Sequence, residues 1–370
     1  MRVLISGGGV AGSTSAINIG EKAEVTIFEA KSASGFPVKC GGLISEDCYV
    51  AYSKYVDVKK ALLNSIRGAF FFSPSGKYLE LYGSSGAVVI ERKIFDQLLL
   101  REASKSSEVV VKSKVDAVGD RKARIITPEG EKFVEFDVVI GADGAESRVA
   151  RDLGFRRPEF FVAKQYLMEF EVLDEKMVEL YFGRSYSDGF FAYAIPLEDD
   201  LARVGVVSRG NPDEHLRVLL EKHPDVSRRK KGGILEVNAG AIPAGLAEFV
   251  RANAVLIGDS AGMVKPYTGG GLYYLLRASE ILGEVFPDLQ AFRKAYLGEL
   301  GKEYRTGESI QKLYGILNDS EYDFLIEIGK DVDFSTIHMD SPSSLIRLIP
   351  SALKMIKKPA LIKKIAGSFL

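Results

Sequence analysis

Six residues near the N-terminus have the types and spacing of a phosphate cradle: Gly7-Gly8-Gly9-Val10-Ala11-Gly12 fits G-x-G-x-x-G. In that pattern Gly7 permits a tight turn, Gly9 lets backbone N–H groups approach a pyrophosphate, and Gly12 lets helix and strand pack closely. A glycine turn alone says little, but its surroundings are of the required kind. Arg2 to Ser6 reads as a strand, Ser13 to Gly20 as a helix and Glu24 to Glu29 as a second strand. Glu29 ends that strand, where an acid accepts the hydrogen bonds of a ribose diol. The plainer reading of Glu29 is a solvated charge. An acid there suits adenosine without a 2′-phosphate, which admits NAD or FAD.

Two further stations carry glycine and aspartate. Gly141-Ala142-Asp143-Gly144-Ala145-Glu146-Ser147-Arg148 follows a buried strand and opens a helix. There Asp143 either meets a ligand or caps the helix after it. Gly258-Asp259-Ser260-Ala261-Gly262 ends another strand, and Pro266-Tyr267-Thr268-Gly269-Gly270-Gly271 follows shortly. Three separated stations imply a ligand lying across several strand ends, longer than one βαβ unit needs; FAD is such a ligand. Asp259 can accept a hydrogen bond from its ribityl chain. A helix beginning near Gly271 would turn its positive end to the flavin, stabilising the anionic edge of the reduced ring. Cys40, in Lys39-Cys40-Gly41-Gly42, is by itself a small hydrophobe in a turn. Next to a flavin ring it becomes a site residue.

The elements that must position these residues follow from length and patterning. With 370 residues, 46% hydrophobic and 27% charged, the chain is expected to be globular and to hold two cores. A net charge of −1 argues against a nucleic-acid partner. Cys40 and Cys48 are too few for a disulfide framework and lack metal-site spacing, so no metal is expected and a reducing, cytoplasmic setting fits. No leader and no apolar run of about 20 residues is visible, so the protein is expected to be soluble, lying at most on the inner face of a membrane.

The expected fold is α/β: a Rossmann-type FAD-binding lobe from 1–65, 91–158 and 251–286, a second lobe on an antiparallel sheet from 66–90 and 159–250, and a helical C-terminal region, 287–370. From Ser341 to Leu370 there is no acid. Arg347, Lys354, Lys357, Lys358, Lys363 and Lys364 interleave there with aliphatic residues such as Ile349, Leu353, Leu361, Ile362 and Ile365. Such a segment either lies on anionic lipid or packs on the body with its lysines solvated. The run Arg228-Arg229-Lys230-Lys231 reads as a solvated loop.

Together with Pro37-Val38-Lys39-Cys40-Gly41-Gly42, Glu91-Arg92-Lys93-Ile94-Phe95-Asp96 and Gly271-Leu272-Tyr273-Tyr274, the three stations resemble the flavoprotein superfamily typified by p-hydroxybenzoate hydroxylase, and within it the geranylgeranyl reductases. The resemblance covers roughly the first 280 residues. It implies FAD lined by Ala11, Glu29, Cys40, Gly41, Leu43, Arg92, Asp259, Gly271 and Leu272, with Val115 at the adenine, beside the turn glycines Gly7, Gly9, Gly12, Gly269 and Gly270. It implies reduction of isoprenoid double bonds, as in archaeal membrane lipids, chlorophyll side chains and quinone tails. Cys40 then either donates a proton or only shapes the pocket, with Tyr193 or an ordered water the next candidate donors. Only one G-x-G-x-x-G is present, so the electron donor would be NAD(P)H bound transiently or ferredoxin. Phe70, Phe71, Phe72, Phe190, Phe191 and Tyr193 are expected to wall a greasy substrate.

One departure bears on the substrate. Geranylgeranyl reductases usually carry Tyr-x-Trp-x-Phe-Pro over the flavin, whereas this chain has no tryptophan and offers Phe191-Ala192-Tyr193-Ala194-Ile195-Pro196. Two alternatives stand beside the reductase. One is an aromatic-ring monooxygenase of the same fold; the other is a flavin electron-transfer or quinone-docking protein, weakened by the lack of cysteines for an iron–sulfur relay.

Overall fold

The first apolar runs of the chain form a mostly parallel six-stranded sheet in the computed structural model, which describes residues 1–348, 356 and 358–369. Arg2–Ser6 lies centrally between Glu24–Phe28 and Val138–Gly141, with Glu108–Val110 and Ala254–Leu256 outside them. Runs such as Val3-Leu4-Ile5 and Val138-Val139-Ile140 are buried throughout, as strands covered on both faces must be. Helix Val10–Ile19 packs beside Arg92–Ala103 and Leu272–Val285. Residues 114–135 form a separate antiparallel meander of three strands.

The second sheet has seven strands in the order Lys230–Pro243, Phe160–Phe170, Leu201–Ser208, Ala192–Glu198, Met177–Tyr181, Gly68–Phe72, Tyr78–Leu81. Its pairs are antiparallel except Met177–Tyr181 with Gly68–Phe72. Ala87–Ile90 does not join it. That strand pairs with Leu43–Ser45 and Leu62–Ile66 in a small third sheet, so the sequence following the glycine turn and the sequence entering the second lobe are tied together.

The basic run at 228–231 is not a solvated loop. Val226–Arg229 forms a helical turn and Lys230 opens the longest strand of the large sheet. Arg229 is buried, donating to both carboxylate oxygens of Glu179 (2.8 and 2.6 Å) and to the Tyr181 hydroxyl (2.8 Å). The reason is Glu179, which is fully buried on a core strand and requires a cation.

The C-terminal region contains the helices Leu289–Ile316, Asp319–Gly329, Ser343–Ile346 and Pro359–Ser368. Leu361, Ile362 and Ile365 turn into an aromatic cluster with Phe182 and Tyr322, while Lys364 pairs with Glu321 at 2.7 Å. The terminal helix Pro359–Ser368 thus packs on the body. Ile349, Leu353, Lys354 and Lys357 lie outside the described residues. Among the described residues no helix is long and apolar enough to cross a membrane.

Candidate active site

The glycine turn is shaped by contacts that only glycine allows. Gly7 has φ +101°, and a Cβ there would stand 2.4 Å from the Ala142 carbonyl oxygen. A Cβ on Gly12 would meet the Gly7 carbonyl at 1.9 Å. Gly9 is different, because a Cβ there has no protein atom within 4 Å and would project into a cavity. Glu29 is buried and braces the turn: its carboxylate accepts the N–H groups of Gly8 (2.7 Å) and Lys31 (2.8 Å). Ser34 Oγ, buried in the same wall, has no hydrogen-bond partner among the described residues. Open space over Gly9 and an unmatched hydroxyl beside it suit the phosphates of a dinucleotide.

Asp143 resolves toward capping. It accepts the N–H groups of Arg148 (2.7 Å) and Val149 (3.2 Å) at the start of Arg148–Asp152, while still bordering the cavity.

That cavity, of about 990 Å³, runs without a break from the turn to the face of the large sheet. Its volume is at the upper end of small-molecule sites, about 300–1,000 Å³. Asp259, Gly269, Gly270, Gly271 and Leu272 form one side of it, and Leu43 and Val115 also line it. The Asp259 carboxylate has no hydrogen-bond partner among the described side chains and faces the cavity; the surrounding protein pushes its pKa up, tempered by Arg92. Gly271 caps the N-terminus of Leu272–Val285. Ala11 and Gly12 do not line the cavity. They sit behind the turn, with Ala11 against Gly258.

Cys40 and Gly41 stand where the two lobes meet. The Cys40 thiol accepts the Gly42 N–H at 3.4 Å, and its carbonyl accepts from Gln165 Nε2 at 3.2 Å. Gln165 Oε1 in turn accepts the Tyr193 hydroxyl at 2.9 Å. Burial, and then Cys40, raise the Tyr193 pKa above the usual phenol value. Arg203, buried on a strand of the large sheet, donates to the Gly41 carbonyl (2.9 Å) and to Glu91 (3.1 Å). Arg92 lines the cavity too, but its guanidinium is engaged by Asp96 through two hydrogen bonds (2.7 and 2.9 Å). Burial opposes the Arg92 charge; Asp96 and the neighbouring Cys40 outweigh it and hold Arg92 protonated.

The aromatic wall is only partly the expected one. Phe71, Phe191 and Tyr193 line the cavity, joined by Phe182 and Tyr314. Phe70 and Phe72 point to the opposite face, into a core with Tyr181 and Leu216, because alternate residues of a strand face opposite ways. Phe190 lies behind the wall against Phe161 (5.1 Å between centroids). Gln165 and Arg203 were missed by sequence reading. For Arg203 the signal available was a lone charge in the apolar run Leu201 to Val207; Gln165, next to Lys164, offered none.

Comparison with known proteins agrees with this geometry. The family described as lycopene cyclase protein matches residues 3–312. An uncharacterised protein of Methanocaldococcus jannaschii is 30% identical over 366 residues, 93% of each chain. A digeranylgeranylglycerophospholipid reductase of Methanothrix thermoacetophila is 29% identical, covering 95% of this chain and 97% of the relative. The same-named reductase of Methanosarcina mazei is 27% identical, covering 96% and 93%. Among solved structures, a geranylgeranyl bacteriochlorophyll reductase-like protein of Thermoplasma acidophilum superposes with TM-score 0.84 at 23% identity, covering 96% of this chain and 98% of that one. A flavin-dependent halogenase superposes with TM-score 0.68 at 17% identity, covering 95% and 78%. The chain belongs to the lycopene cyclase protein family.

Proposed function

We propose that the protein reduces isolated C=C bonds in the prenyl chains of a membrane lipid or related isoprenoid, using FAD. The observation that carries this reading is the single cavity that begins at a phosphate-type glycine turn and ends on an apolar aromatic wall, with Cys40 between them. Gly7, Gly9, Glu29 and Ser34 would hold the adenosine diphosphate part of FAD, with Val115 beside the adenine. Asp259, Gly269 to Leu272, Gly41 and Leu43 would hold the flavin part. The positive end of helix Leu272–Val285 suits the charge a reduced ring carries. Bound reduced flavin supplies the hydride. NAD(P)H or ferredoxin would supply the electrons. Relatives named digeranylgeranylglycerophospholipid reductase support the lipid class.

The remaining work falls to the chain's own residues. An unconjugated alkene accepts hydride poorly, so a proton must reach the second carbon as charge develops. Cys40 is placed to give it. Its sulfur lies 3.4 Å from the Gly42 N–H, a donor suited to the charge left behind when the proton departs. Arg92, held at the cavity wall by Asp96, would offset charge on the flavin ring or the diphosphate. Tyr193 has its hydroxyl proton committed to Gln165 and serves as a wall and a brace. Gln165 and Arg203 fix the Cys40–Gly41 backbone from the opposite lobe. Phe71, Phe182 and Phe191 exclude water and hold the chain in place.

Mass spectrometry of lipids from cells that make unsaturated geranylgeranyl lipids, with and without this protein, tests the reading. Gain of two mass units per reduced bond is expected. An unchanged lipid profile in cells holding flavin-loaded protein would count against it.

A further inference from the structure

Between helices Asp319–Gly329 and Ser343–Ile346 the chain crosses the cavity with no pairing beyond one bridge, His338 to Ser341. Connections longer than about 12 residues without structure of their own are usually functional or disordered. This one, residues 330–342, is firmly buttoned down. Asp340 is buried and its carboxylate takes the ammonium of Lys265, also buried, at 2.8 Å, and the Ser45 hydroxyl. The Met339 carbonyl accepts from Lys265 (3.2 Å) and from the Tyr267 hydroxyl (2.5 Å). The Ile337 carbonyl accepts the Ser84 N–H at 2.8 Å, and His338 meets Asp47 at 2.7 Å.

These partners come from separate parts of the cavity rim: the loop before Gly269, the segment from strand Leu43–Ser45 into the helix after it, and the turn at Ser84. A buried Lys–Asp pair adds little net stability, because desolvation offsets its attraction, but it fixes position. What it fixes is apolar. Phe334, Ile337 and Met339 line the cavity together with Phe71, Leu79 and Leu81 of the large sheet. The strap lies beyond residue 312, where the match to the family ends.

We propose that this strap is the end wall that measures the isoprenoid chain, with Ile337 and Met339 determining the length accepted and Asp340 as the positioning residue that holds them. The inference rests on the prenyl-reductase reading. It is tested by calorimetric binding of saturated isoprenoid alcohols of ten, fifteen, twenty and twenty-five carbons to the flavin-loaded protein. Affinity rises with length while the chain gains buried methylenes, each worth about fourfold, and stops rising when the chain meets the wall. Ile337→Ala and Met339→Ala move that break to a longer chain, raising affinity for the first excluded alcohol by about tenfold. Asp340→Asn blurs the break and speeds amide exchange over 334–342.

A break at the same length in all three variants overturns the proposal. A break that moves, with no reduction of the unsaturated alcohols, supports the strap and sinks the reductase reading. Reduction with an unmoved break sinks the strap alone, and failure of wild-type protein to bind any isoprenoid overturns both.

Discussion

Replacing Cys40 by alanine is expected to leave the fold and flavin affinity intact while slowing alkene reduction by about 10²–10⁴, the usual worth of a positioned general acid. The structure separates these effects. Contacts that hold the segment run through backbone, from Gln165 to the Cys40 carbonyl and from Arg203 to the Gly41 carbonyl, and the substitution leaves them in place. The thiol itself makes one long hydrogen bond, from the Gly42 N–H at 3.4 Å. Loss of so weak a contact should cost about 1 kcal/mol or less of stability. The rate effect corresponds to about 3–5 kcal/mol of barrier. Anaerobic single-turnover oxidation of the reduced flavin by a prenyl substrate reads the rate, and flavin retention on gel filtration reads the binding. Cys40→Ser, which keeps an O–H donor, should fall between wild type and alanine. Cys48→Ala is the control: that thiol is buried, with its pKa driven up first by burial and then by Asp340, and should leave the rate unchanged. Reoxidation of Cys40→Ala at nearly the wild-type rate would reduce the cysteine to a spacer. The proton would then have to come from water or from Tyr193 at the expense of its bond to Gln165.

Three further outcomes are expected. Gly9→Val should abolish flavin retention with little loss of thermal stability, since its side chain enters the cavity rather than protein, and retained flavin would remove the turn from the site. Arg203→Met should lower the melting temperature by the equivalent of about 2–4 kcal/mol, leaving the Gly41 carbonyl and Glu91 without their donor, and should cut turnover with flavin still bound. Acid stability should report His223. Burial lowers its pKa from 6.5 to about 4, and its Nδ1 accepts the N–H groups of Asp225 and Val226. The unfolded chain therefore binds the proton first, and stability present above pH 6.5 is lost as pH falls toward 4, by up to about 3 kcal/mol. His223→Gln should flatten that limb of a denaturation curve measured against pH; an unchanged slope would assign the acid loss elsewhere.

The parts of the site that sequence made legible are those ruled by local geometry. Gly7, Gly9 and Gly12 answer to one turn, and the strand ending at Glu29 and the helix starting after Gly271 follow from periodicity within a few residues. What escaped depends on partners far along the chain. Arg203 meets a carbonyl 162 positions away, and nothing near it announces that partner. Arg229 sits in a basic run that looks solvated, and only the burial of Glu179 on another strand draws it inside. Phe70, Phe71 and Phe72 were legible in principle, since alternation allows only one parity to face the cavity, but which one depends on the register with Met177–Tyr181. The strap at 330–342 has no periodic pattern, and its place is set by Lys265 and Ser45, whose roles only the folded chain shows.

On the function proposed, reduced flavin in this cavity delivers hydride to a prenyl double bond. Photoreducing the FAD-loaded protein without oxygen and mixing it with an excess of geranylgeranyl lipid tests it most directly, with flavin absorbance and lipid mass followed together. One flavin reoxidised for each bond that gains two mass units is the predicted result. Flavin that stays reduced until oxygen is admitted, over lipid of unchanged mass, would contradict it.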